Sequence, residues 1–225
     1  MAERRLQWGV FGLALRFVLV VLVTFAVHFL YMGFPINGQS PLGPEALQRT
    51  LTTEWKQVSA LAQDTRTGAL IQSVARGTYR ILYQLPGLEA LVRMANTPKT
   101  ATVDDSVRSA VRATWFFFEG FYWSVQLLGL RLGVLAVSAP LFLAAATVAV
   151  LDGLTARHIR KISGGRESGF VYHRAKLLAW GSILGLWLIY LVPPFPLDPV
   201  TVLPPFVLLF ALALRVSSAW FKKHL

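Results

Sequence analysis

The chain has no cysteine. A disulfide framework, a thiolate metal site and a Cys nucleophile are therefore excluded, and redox chemistry gives no clue to the compartment. Acidic residues are scarce as well: 11 stand against 22 lysines and arginines, for a net charge of +11 over 225 residues. The four histidines, His28, His158, His173 and His224, never pair at metal-ligand spacing, and nothing reads H-E-x-x-H. Patterns of the GxSxG, P-loop and GxGxxG types are missing. The stretch GGRES at 164–168 lacks both the Lys-Ser/Thr ending and the preceding strand of a phosphate loop, so it reads as a turn between helices. No catalytic residue, cofactor site or metal site is expected.

Charged residues of both signs make up only 15% of the chain, whereas hydrophobic residues make up 55%. With a mean hydropathy of +0.53, this suits a chain whose solvent is partly lipid. In that setting basic residues set orientation and attract anionic lipid, so their positions matter more than their sum.

Phe17 to Phe34 carries no formal charge and is long enough to span a bilayer. Arg4 and Arg5 precede it, and Arg16 can snorkel toward the same side. The stretch is too long for a cleaved signal peptide and no small-x-small site follows it, so residues 1–34 read as a signal anchor with a cytoplasmic N-terminus. A second apolar run covers Ala113 to Val150, enough for one span with an extension or for two short spans.

The next loop decides between them. Arg157, Arg160, Lys161, Arg166, Arg174 and Lys176 outnumber Asp152 and Glu167 there, which places it in the cytoplasm. One crossing satisfies that, so 114–152 is an aromatic approach followed by a second span near 130–151, and 153–176 is a basic cytoplasmic hairpin. A third span at 177–192, a Pro-rich extracytoplasmic turn at 193–200 and a fourth span at 201–219 with a basic tail to 225 complete the topology. Pro204 and Pro205 are expected in the first turn of the fourth helix, where missing donors cost little. The expected fold is an all-α integral membrane protein: four transmembrane helices with a helical extracytoplasmic insertion between the first and second spans.

That insertion, 35–113, is polar and helical in period. Leu47, Leu51, Trp55, Val58 and Ala62 form one apolar face. Leu70, Ile71, Val74, Thr78, Ile81, Leu82 and Leu85 form a second, ended by Pro86-Gly87, and Leu88, Leu91, Val92 and Ala95 begin a third. VDDSVRSAVRATW is expected to open a helix that runs into the second span. These faces require cover from one another, from the membrane surface or from a partner.

Among the ionisable groups near the spans, Arg131 is expected to snorkel outward, Arg215 toward the tail, and Asp152 to sit beside Arg157. His28 is expected to take a hydrogen-bonded packing role. Gly129-x-x-x-Gly133 and Gly181-x-x-x-Gly185 allow close helix approach, with packing inside the chain favoured.

Two surfaces stand out as candidate sites. The collar TWFFFEGFYW sets Trp115, Phe116, Phe117, Phe118, Phe121, Tyr122 and Trp123 around Glu119. At the outer membrane boundary it forms an aromatic belt or a groove for another subunit's helix, with Glu119 reaching water, Arg112 or a partner. The cytoplasmic hairpin offers Arg157, Arg160, Lys161, Arg166, Tyr172, Arg174 and Lys176 to phospholipid or to a soluble partner. One short loop gives too few phosphate contacts for sequence-specific nucleic-acid binding.

RGTYRILYQLPGLEALVRM, the aromatic approach to the second span, and GRESGFVYHRAKLL after the basic turn resemble the integrating conjugative element membrane protein family of bacterial conjugation regions. The resemblance covers most of the chain and implies an inner-membrane protein among type IV secretion components, often near the coupling ATPase. It implies membrane lipids, other membrane subunits and that ATPase as partners, and no activity or site residues. A stand-alone small transporter or channel-like protein is the alternative. An intramembrane or lipid-modifying enzyme comes third, for want of catalytic pairs.

Overall fold

The computed structural model of the protein describes residues 2–34, 42–62, 64–90, 92, 114–163 and 169–221, and these contain helix and no strand. Their helices are α1 (Ala2–Gly33), α2 (Glu45–Leu61), α3 (Thr65–Tyr79), α4 (Trp115–Ile162), α5 (Gly169–Leu191) and α6 (Pro199–Ala219). α1, α4, α5 and α6 are long and apolar enough to cross a membrane. Side chains such as Leu15, Leu19, Leu22, Leu143, Val148, Leu177 and Leu208 stand exposed along them, as a lipid-facing surface requires. The chain divides into two compact units, Met1–Ala136 with Leu191–Leu197, and Val137–Tyr190 with Asp198–Leu225.

The second apolar run is one helix, not two. α4 has 48 residues, about 72 Å at 1.5 Å per residue, against about 30 Å of hydrocarbon. Leu, Ala, Val and Phe favour helix or tolerate it throughout, and in its interior only Pro140 removes a donor. The expected division into an interfacial approach and a separate span is therefore a division of depth along one continuous rod.

In the first unit, α2 starts at Pro44, where Gly43 takes a φ of 69° that other residues rarely adopt. Its buried face is Ala46, Leu47, Thr50, Glu54 and Val58, while Trp55 is exposed. Of the expected stripe, Leu47, Leu51 and Val58 turn toward the core, whereas Trp55 faces outward and Glu54, which has a partner inside the unit, is drawn inward beside it. α3 buries Ile71 and is prolonged by a π turn, Arg80–Gln84. The wider turn shifts the register, so Tyr83 is buried and Ile81 and Leu85 face outward, reversing the expected end of that stripe. Of the third expected helix only Leu88–Ala90 and Val92 are described, and VDDSVRSAVRA lies outside the described residues.

α4 receives α3 at two glycines. A Cβ at Gly129 would lie 3.0 Å from Ala75 Cα, and one at Gly133 2.9 Å from both Cα and O of Ile71. The small-xxx-small pattern at 129–133 therefore serves packing within the chain, against α3 rather than among the four long helices as expected. At Gly185 the nearest neighbour is the Phe206 ring, and Gly181 approaches nothing.

In the second unit, α6 begins two residues earlier than expected. The Asp198 side chain accepts from Val200 N (3.1 Å) and from the Thr201 hydroxyl (2.7 Å), and Pro199 takes the first helical position. An N-cap acid followed by proline satisfies orphan donors and removes one. Pro204 and Pro205 consequently sit inside the helix rather than in its first turn. α4 and α6 meet closely at Gly153, where a Cβ would lie 2.5 Å from Arg215 O. Asp152 pairs with Arg215 there, not with Arg157 as expected, and both side chains are half exposed.

Candidate functional site

The aromatic collar is the hub of the first unit. Phe121 packs on Phe25 (centroids 4.8 Å apart) and Phe117 on Phe29 (5.9 Å), which ties α4 to α1. Gly120, between those rings, admits Met32: a Cβ there would fall 2.5 Å from Met32 Cε. Phe116 and Trp123 pack against Met32, Leu47 and Leu127, a small core shared by α1, α2 and α4. On another side Tyr122 meets Tyr79 (5.9 Å) and Tyr83 (5.5 Å) edge to face. Offset and edge-on ring pairs of this kind are worth roughly 0.5–1.5 kcal/mol beyond their buried area.

Much of the collar that reads as an interfacial belt thus packs inside the protein. Glu119, Trp115 and Phe118 line a hollow of about 300 Å³ beside it. Glu119 has no hydrogen bond or ion pair among the described residues, and Arg112, its expected partner, lies outside them.

Burial raises the Tyr83 phenol to about 12, and neighbouring Tyr79, Tyr122 and Glu89 add to the shift.

The strongest polar feature of the unit is one that sequence reading misplaced. Arg131 does not snorkel: its side chain is wholly buried and paired with Glu54, itself 1% exposed, at 2.5 Å. Nε donates to both Glu54 oxygens (3.2 and 3.1 Å), and Nη2 donates to Oε1 and to the Phe195 carbonyl (2.9 Å). Nη1 donates to the carbonyls of Leu191 (3.1 Å) and Pro193 (2.5 Å). Each of the five guanidinium N–H groups therefore has an acceptor.

The Pro-rich turn explains why. Pro193, Pro194 and Pro196 contribute carbonyls without N–H groups, leaving a partly buried segment rich in acceptors. Arg131 supplies donors to three of its carbonyls, Thr50 Oγ1 donates to Pro194 O (2.9 Å), and Leu197 N donates back to Glu54 Oε1 (3.0 Å). α2, α4 and the turn are closed into one polar clamp. His28 is fully buried beside it, within electrostatic reach of Arg131 and the Pro193 carbonyl. Neither of its ring nitrogens makes a hydrogen bond of ordinary geometry, so its role is packing more than bonding.

Signals for the clamp were present. Thr50 and Glu54 lie at helical spacing between Leu47 and Val58, and a proline run must find donors elsewhere.

The basic hairpin is mostly helix, since α4 runs to Ile162 and α5 begins at Gly169. Arg160 stacks over the Trp220 ring (3.9 Å) and donates to Ala219 O (2.8 Å), capping the C-terminus of α6. Arg157 lies over Phe221 (5.4 Å), whose ring also meets Tyr172 (5.6 Å). Arg174 lies over Phe170 (4.4 Å) and remains exposed, as do Lys161 and Lys176. Arg166 lies outside the described residues. The expected docking residues thus separate into a set held against the end of α6 and an exposed set.

Four helices long and apolar enough to cross a membrane, with large apolar side chains exposed along them, point to a multi-pass α-helical membrane protein. Residues 40–222, which contain α2 to α6, match the family model described as "DtrJ-like: IncC plasmid conjugative DNA transfer protein DtrJ-like". The chain belongs to this DtrJ-like family of conjugative DNA transfer proteins. The conjugation context implied by the resemblance above is therefore shared. No curated protein and no solved structure matches the chain.

Proposed function

We propose that the protein is a non-enzymatic accessory subunit of a conjugative type IV secretion machine in the bacterial inner membrane, where it acts as a membrane partner of the coupling ATPase. Membership of a conjugative DNA transfer family supports the setting. The resemblance to integrating conjugative element proteins fits the same role, because plasmids and integrating elements share this mode of transfer.

The observation that carries the partner role is the division of the basic residues. Arg157 and Arg160 are committed to Phe221 and Trp220, whereas Lys161, Arg174 and Lys176 stand exposed on the adjoining ends of α4 and α5. A rigid helical end with exposed charge steers a soluble acidic surface toward the membrane and fixes its register. With both termini cytoplasmic, this end faces the compartment of the ATPase.

The test is affinity purification from donor cells in mild detergent, comparing the wild type with K161E/R174E/K176E. The wild type recovers the coupling ATPase. The triple variant loses it and loses DNA transfer while its thermal unfolding is unchanged. Undiminished recovery and transfer in the triple variant would overturn the docking surface. A lone oligomer that conducts ions in liposomes would favour the stand-alone channel instead.

A further inference from the structure

The hollow beside the collar has the chemistry of a cation site. Its walls are aromatic on several sides: Tyr79, Tyr83 and Tyr122 meet one another at 5.2 to 5.9 Å, and Trp123 stands edge-on to Tyr122 at 4.9 Å. Ring faces carry negative potential, and several around one space attract an ammonium group far better than one does. Two carboxylates, Glu119 and Glu89, line the same hollow, and among the described residues no basic side chain does. Glu119 is half-buried and makes no ion pair among the described residues.

We propose that Tyr79, Tyr83, Tyr122, Trp123 and Glu119 form a binding site for the ammonium headgroup of a phospholipid such as phosphatidylethanolamine. Three observations favour a lipid over a basic side chain of another protein. The collar ends an apolar helix long enough to span a membrane, where aromatic residues gather at headgroup depth. Phe117, Ile81 and Leu85, close in sequence to the cage residues, are 57%, 62% and 70% exposed and offer apolar surface for acyl chains. Tyr79 also walls a second hollow that contains Arg76, a cation suited to the lipid phosphate. Anionic lipids without an ammonium group, such as phosphatidylglycerol, should be discriminated against, since they would place hydroxyls against Glu119 and the ring faces.

The experiment is native mass spectrometry of the full-length chain, delipidated in detergent and titrated separately with phosphatidylethanolamine, phosphatidylcholine and phosphatidylglycerol. The wild type should bind both ammonium lipids about tenfold more tightly than phosphatidylglycerol. E119Q, which keeps the side-chain volume, should lose most of that preference with an unchanged circular dichroism spectrum, and Y122L should lose it as well. Equal affinity for the three lipids in the wild type, or a preference untouched by E119Q, overturns the site. Two further arms fix the source of the ammonium. Free ethanolamine binding as tightly as the lipid, or a lysine-rich peptide displacing phosphatidylethanolamine from the wild type but not from E119Q, would assign the cage to another ligand and overturn the lipid reading.

Discussion

Glu54 and Arg131 are 77 residues apart in sequence and meet at 2.5 Å with neither side chain reaching solvent. A buried pair is often replaceable by apolar residues, because desolvation offsets most of the Coulomb attraction. This one differs in what else it holds. The guanidinium also serves the carbonyls of Leu191, Pro193 and Phe195, at a proline-rich turn with few N–H groups of its own. R131M should therefore destabilise the protein by about 3–5 kcal/mol. The apolar double variant E54L/R131M should fail to recover it, since three carbonyls lose the Arg131 donors. The exchange E54R/R131E should fail too, because it sets a carboxylate against those carbonyls. Thermal unfolding in detergent checks all three, and recovery by the double apolar variant would show that the turn does not depend on Arg131.

Two glycines with the same spacing motif should respond in opposite ways. Gly133 is pressed against the Ile71 backbone, which cannot swing aside as a side chain can, so G133A should cost about 1–3 kcal/mol by overpacking. Gly181 has no neighbour within 4 Å of where a methyl would go, and in a helix interior alanine is favoured over glycine by up to about 1 kcal/mol. G181A should thus leave the unfolding temperature unchanged or raise it. A matched loss in both variants would mean that α5 packs at Gly181 against a further chain.

Tyr83 predicts an alkaline weakness. Its phenol is held at about 12, above the usual 10, because burial and the nearby Tyr79, Tyr122 and Glu89 disfavour the phenolate. Below pH 10 both the folded and unfolded forms are protonated and the contribution is complete. Between pH 10 and 12 the unfolded form ionises first, so stability falls as pH rises through that window. Y83F removes the titrating group and should flatten the curve there. Unfolding temperatures measured from pH 8 to 12 provide the check, with absorbance near 295 nm reporting phenolate. A parallel decline in wild type and Y83F would remove Tyr83 as the cause.

Periodicity and hydropathy were enough to find the long helices and the closed approach at Gly129 and Gly133, because these depend on local composition. They failed where a distant partner decided orientation. Nothing near Glu54 in sequence announces that Arg131 will reach it, so the buried face of α2 was read from apolar residues alone and took in Trp55 but not Glu54. The π turn at Arg80–Gln84 likewise changed which residues face inward without any glycine or proline to mark it. The collar was legible as a dense aromatic run, but its work inside the fold depended on Phe25, Phe29, Tyr79 and Tyr83, from two other helices. The separation of Arg157 and Arg160 from the exposed basic residues rested on Trp220 and Phe221, about 60 positions away, a distance that a charge count over one loop does not register.

The absence of cysteine makes orientation directly measurable, since one introduced thiol is then the only one in the chain. Ser73 on α3 and Ser163 at the end of α4 are both exposed and suit the purpose. Ser163 follows the basic end of α4, where Arg157, Arg160 and Lys161 cluster, and positive charge is retained on the cytoplasmic side. In intact cells with a permeabilised outer membrane, S73C should react with a membrane-impermeant maleimide, whereas S163C should react only after lysis. The same chains should support DNA transfer before labelling, which shows that the cysteines leave the protein functional. Labelling of S163C from outside, with S73C protected, would invert the topology and place the exposed Lys161, Arg174 and Lys176 on the wrong side for a cytoplasmic ATPase.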